Sequence, residues 1–339
     1  MLRIRPRAQR ALRTAVVPIA ITVVALFAGC SGDSTEDADA TVAGVMTQTT
    51  TAAPTEAAAT TATVAPTETV APPDDAPLYD PSLVRTDVDC SLEFISSGGG
   101  EDFADGFTSG HFVVDGVLGE PCLGEDERLL NSWEWLRTVA GAEDLTELIL
   151  FAGFDAPSDL LAYVEALNTG EGEVAFQMTV NLGQADADDI ELALTMAHEL
   201  THVFTGVPDQ LDRGVDESQC TTYFEGEGCY TEGSFIARWV EEFWGDWIAD
   251  VDPLNDDDEA ALERCIADPS FLGSYAATNP EEDFAETFSA WVFSVPVEDP
   301  GLISKYEFFE ADEYLASFKA RVQAAGIEPL PNQFEGCGF

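Results

Sequence analysis

In this chain of 339 residues, 64 aspartates and glutamates outnumber 14 lysines and arginines, giving a formal charge of −50. Such a surface repels nucleic acid and anionic lipid, which argues against a nucleic-acid partner. It suits solubility in a salty exterior.

Residues 1–29 read as an export signal. Arg3, Arg5, Arg7, Arg10 and Arg13 precede a 14-residue apolar run, Ala15–Ala28, too short for a comfortable membrane span. Ala28 and Gly29 before Cys30 resemble the bacterial lipobox, although Phe27 replaces its usual leucine. That resemblance implies a lipid anchor on Cys30 and an exported protein on the outer face of a bacterial membrane; the alternative is free secretion. Residues 30–77 are rich in Thr, Ala, Pro and acids. They cannot bury a core and are expected to form a disordered tether. Residues 78–339 remain as the folded domain.

Six further cysteines follow: Cys90, Cys122, Cys220, Cys229, Cys265 and Cys337. An even number in an exported chain suggests three disulfides, with fifteen possible connectivities. Pairing each cysteine within its own region gives Cys90–Cys122, Cys220–Cys229 and Cys265–Cys337.

Hydrophobic periodicity predicts strands at His111–Asp115, Leu148–Phe154 and Ala175–Leu182. It predicts helices at Glu125–Ala140, Ser158–Leu167, Ser234–Val251, Asp256–Ala267 and Lys305–Ala325. The strand at 175–182 either is an ordinary sheet member or offers a free edge to an extended peptide. The acid run Asp252–Glu259 lacks the spacing and glycine of a calcium loop and reads as an acid-rich helix start.

Ile190–Gly206 is the informative stretch. Ile190, Ala193, Leu194 and Ala197 repeat at helical spacing, Asp188 and Asp189 suit an N-terminal cap, and Gly206 and Pro208 end the helix. Within it His198-Glu199-Leu200-Thr201-His202 places two imidazoles four residues apart, on one helix face. They can share a Zn²⁺, with Glu199 beside them to work on a water. A catalytic zinc needs a third protein ligand. His111 is the only other histidine and lies far upstream; position 208, where a metzincin carries its third histidine, is Pro208. A carboxylate is therefore expected. Glu282 and Glu286 are four apart on a helix from Glu281; one can bind the metal and the other the spare imidazole N–H. Tyr275, just ahead of that helix, can donate to an oxyanion. Glu281 and Asp283 are expected on other, solvated faces.

His198-Glu199-x-x-His202 with a downstream Glu-x-x-x-Glu is similar to the gluzincin zinc peptidases. The Tyr275, Thr278-Asn279 and Glu282-Asp283-Phe284-Ala285-Glu286-Thr287-Phe288 run resembles the lethal-factor-type catalytic domain, with Asp283 where that pattern has an aromatic. The resemblance covers about 20 residues. It implies a zincin-like α+β fold: a small N-terminal mixed sheet, an active-site helix and a mostly helical C-terminal lobe. It implies zinc on His198, His202 and Glu282, Glu199 as general base, Tyr275 as oxyanion donor and Glu286 supporting a ligand. The competing assignment makes Glu286 the ligand. The function implied is an exported zinc endopeptidase acting on peptides or proteins outside the cytoplasm. The alternative is a surface-binding lipoprotein with a structural or vestigial zinc site.

Overall fold

The computed structural model describes residues 78–88, 90, 106–156, 160–170, 173–185, 188–253, 257–334 and 336–337. The export signal, the tether and Cys30 lie outside the described residues.

Five strands form one mixed sheet: β1 (Ser109–Val114), β2 (Val117–Pro121), β3 (Leu148–Phe154), β4 (Ala162–Gly170) and β5 (Glu173–Asn181), in the order β2-β1-β3-β5-β4. Only β3 and β5 run parallel. A parallel pair needs covered faces. β3, Leu-Ile-Leu-Phe-Ala-Gly-Phe, is buried along its whole length. Helix α1 (Glu127–Val139) buries Leu129, Trp133 and Leu136 in the main core, and Trp133 meets Phe151 edge-on.

Of the predicted helix at Ser158–Leu167, residues 158–159 lie outside the described residues, and from Ala162 the chain is instead β4. Its apolar residues fit both periods, and pairing decides between them: Ala162 to Leu167 lie opposite Val180 to Ala175 in an antiparallel hairpin. Tertiary pairing overrides weak local preference. β4 also changes which strand has a free edge. β5 is flanked on both sides by β3 and β4, so the edge on that side of the sheet belongs to β4, and β2 forms the other.

After a short helix α2 (Leu182–Ala185), helix α3 (Asp189–Thr205) runs from an Asp188 cap that accepts from the N–H groups of Ile190 and Glu191. It ends at Gly206. A Cβ there would sit 2.7 Å from His202 O and 2.9 Å from the Phe176 ring, so the chain passes the sheet too closely for a side chain. Short strands β6 (Leu211–Asp212) and β7 (Cys229–Tyr230) pair next.

The rest is helical: α4 (Phe235–Phe243), α5 (Asp258–Ala267), α6 (Pro280–Val292), α7 (Pro300–Ala311) and α8 (Glu313–Ala324). Two expected helices are shorter than predicted. The one from Ser234 stops at Phe243, before Gly245, and only a 3-10 turn at Ile248–Asp250 follows. The one from Lys305 to Ala325 is two helices broken at Asp312, whose carboxylate caps α8 at the N–H groups of Tyr314 and Leu315. A competing cap interrupts a continuous apolar pattern. The whole is α+β, as expected, with the sheet N-terminal and the helices C-terminal.

All three expected cysteine pairs are bonded, with Cα atoms 5.7, 5.4 and 5.3 Å apart for Cys90–Cys122, Cys220–Cys229 and Cys265–Cys337. They suggest an oxidising compartment. Among the described residues no helix is long and apolar enough to cross a membrane.

Candidate metal centre

Helices α3 and α6 pack against each other through aromatic side chains. Phe204 meets Phe284 and Phe288 edge-on, with ring centroids 6.2 and 5.6 Å away. Asn279 accepts from the Glu282 N–H, and Pro280 opens α6, so the helix start is fixed. The face of α6 carrying Glu282 and Glu286 thereby meets the face of α3 carrying His198 and His202.

The two Nε2 atoms of His198 and His202 lie 3.2 Å apart. Glu282 completes the group: Oε2 is 3.0 Å from His198 Nε2, and Oε1 is 3.9 Å from His202 Nε2. These three residues can hold a metal ion. Bonds of about 2.0–2.2 Å in tetrahedral geometry would set ligand atoms a little over 3 Å apart, so the observed spacing fits. Glu286 stands elsewhere: its Oε1 is 3.1 Å from Nδ1 of His198, the nitrogen facing away from the cluster. The two glutamates that helical spacing alone leaves equivalent are thus on opposite nitrogens of one ring.

Glu199 is buried, and the backbone N–H of Val164 in β4 donates to its carboxylate. Burial pushes the Glu199 carboxyl up to about 7, opposed by His198 and helped by Glu282 and Glu286. Burial lowers His202 to about 4, which keeps its imidazole neutral. Burial would lower His198 too, but Glu282 and Glu286 outweigh it and raise it well above its ordinary value. Burial would raise Glu282; His198 and His202 instead hold it at about 2. Tyr275 stacks on His198 at 5.9 Å, its hydroxyl donating to Glu282, while the residue as a whole stays 52 % exposed. Buried Arg264 supports that loop by donating to the carbonyls of Ala277 and Thr278. The next residue, Cys265, ties α5 to the C-terminal segment through Cys337.

Asp283 is a correction. It was expected on a solvated face; it is 0 % exposed and points away from the imidazoles. Its Oδ2 accepts from the indoles of Trp239 and Trp244 at 2.9 and 2.8 Å, and its Oδ1 from Lys305 Nζ at 2.7 Å. Glu281 is a second correction: its Oε1 is shut off from solvent, and Tyr223 hydrogen-bonds its carboxyl. Three consecutive acids thus face three directions, as 100° steps around a helix require. The signal for Asp283 was present in part: two tryptophans spaced for a core need an acceptor for each N–H. His111 lies in β1, buried, with Nδ1 2.9 Å from Gly119 O, and is not part of the metal group.

No known protein family, curated protein or solved structure matches this chain.

Proposed function

We propose that this chain is an exported, zinc-dependent endopeptidase with a zincin-like fold. The observation that carries the reading is the convergence of His198 Nε2, His202 Nε2 and the Glu282 carboxylate beside Glu199 and Tyr275. A zinc ion supplies a Lewis acid there, able to polarise a carbonyl and make water nucleophilic near neutral pH. His198, His202 and Glu282 would hold it, and Glu286 would fix the His198 ring through Nδ1. Glu199 takes the proton of the attacking water and delivers it to the leaving amine. The Tyr275 hydroxyl donates to the oxyanion that develops on the substrate carbonyl.

β4 supports the same reading. Its free edge runs beside Glu199, because Val164 contacts that carboxylate. An extended peptide can pair along such an edge. A closed structural zinc site would want four protein ligands; among the described residues three converge. Export and anchoring through Cys30 complete the proposal, and they rest on the leader sequence.

The test is cleavage of a peptide library with and without a chelator, beside Glu199→Gln. That variant is expected to keep its zinc and lose about 10²–10⁴-fold in rate. Cleavage at the parent rate would refute the assignment.

A further inference from the structure

Next to His202 and Glu282 lies a cavity of about 190 Å³, also lined by Tyr223, Glu225, Asp252, Pro253, Asn279 and Glu281. Small-molecule sites usually run to roughly 300–1,000 Å³, so this one suits a single side chain. Its walls are acidic. Glu225 sits in the loop closed by Cys220–Cys229, with Oε1 accepting from the Glu227 N–H. Glu281 enters from α6, one residue before Glu282, held by Tyr223. Its Oε1 is buried without a hydrogen-bond partner. Asp252 is exposed at the same cavity.

Buried carboxylates normally have a cation or several donors. Among the described residues no lysine or arginine forms an ion pair with Glu225 or Glu281. Arg213 is the cation whose charge reaches Glu225, but its Nη1 donates to Gly206 O at 2.6 Å and its Nε lies 3.6 Å from Glu227. An inorganic ion is a poorer complement than an organic cation. Among the described residues, His198, His202 and Glu282 form the one group with three convergent ligand atoms, and neither Glu225 nor Glu281 belongs to it.

We propose that this cavity binds the cationic side chain of a lysine or arginine in the peptide substrate, with Glu225 and Glu281 as the residues that select it. The substrate half of this inference rests on the peptidase reading above. A side chain inserted there starts from backbone lying across the metal group, because His202 and Glu282 form part of the same wall. Its ammonium or guanidinium would supply the positive charge that the carboxylates of Glu225 and Glu281, which line the cavity, lack among the described residues.

Two readouts test it on the full chain. Peptide pairs differing only in lysine or arginine against norleucine are compared by kcat/KM. The basic member should be favoured about tenfold or more, and Glu281→Gln or Glu225→Gln should reduce that ratio to near one. Separately, N-acetyl-arginine amide and its norleucine counterpart are titrated into the Glu199→Gln protein by calorimetry. Only the arginine compound should bind, and Glu281→Gln should abolish the heat. Cleavage without basic preference overturns the proposal and leaves the peptidase reading intact. If no peptide is cut, the peptidase reading fails, and equal titrations of the two amides then overturn the pocket as well. Calcium binding in place of arginine amide, lost in Glu281→Gln, would also overturn it.

Discussion

The Asp283–Lys305 pair offers the sharpest test of how α6 is held. Both side chains are nearly sealed, at 0 % and 1 % exposed, with Oδ1 and Nζ 2.7 Å apart. At an effective dielectric of 20 their attraction is about 6 kcal/mol, much of it offset by desolvation. Asp283→Asn removes the charge and half the acceptors. The remaining amide oxygen can serve the two indoles or the ammonium, but not both. Lys305 keeps Ser270 O at 2.8 Å and the Phe271 ring at 4.4 Å, which is not a counter-charge. The expected loss is about 3–5 kcal/mol, typical of breaking one side of a buried pair. Lys305→Met leaves Asp283 its two indole donors and should be milder, about 2–4 kcal/mol. The double variant should recover much of this, because the asparagine oxygen can then satisfy both tryptophans. Urea unfolding with chelator present measures all four proteins without a metal contribution. A coupling energy of about 2 kcal/mol or more is expected. Additivity within about 0.5 kcal/mol would refute the claim that this pair works as a unit. Zinc titration of folded Asp283→Asn adds a functional readout. Glu282 is its chain neighbour, so affinity should fall although Asp283 touches no ligand.

Further outcomes follow from other parts of the molecule. Glu282→Ala should lower zinc occupancy far more than Glu286→Ala, for which a loss of about 10–100-fold in affinity is expected; a metal assay that reverses the order would reassign the ligand. Burial lowers the pKa of His111 below its ordinary value, with Gly119 O opposing. The unfolded chain therefore binds a proton that the folded chain resists, and stability falls as pH drops below about 6.5, by up to about 1.4 kcal/mol per unit. His111→Gln should flatten that part of the pH profile relative to the parent; an unchanged slope would exclude His111 as its source. Replacing Cys265 and Cys337 by serine opens a link spanning 72 residues. It should lower stability by about 4 kcal/mol in urea. It should also reduce activity more than zinc binding, since the tie adjoins the Arg264 contacts that support the Tyr275 loop.

Much of the centre was legible in the sequence because it depends on short-range periodicity. Four-residue spacing puts His198 with His202 and Glu282 with Glu286 whatever the rest of the chain does. The Asp188 and Asn279 caps fix where those helices begin, and the cysteine spacing gave local pairs that the fold contains. What sequence could not decide depends on which face of one element meets another. The helical pattern gave way from Ala162 onward to β4 because β5 lay beside it, and that exchange moved the sheet edge on that side from β5 to β4. Helical spacing alone left Glu282 and Glu286 equivalent; α6 docked on α3 presents one carboxylate to Nε2 and the other to Nδ1 of a single ring. Asp283 and Glu281 read as solvent-facing acids because nothing local indicates Lys305, two indoles or Tyr223. Those partners come from 22 to 58 residues away, and chain folding alone brings them within hydrogen-bond reach.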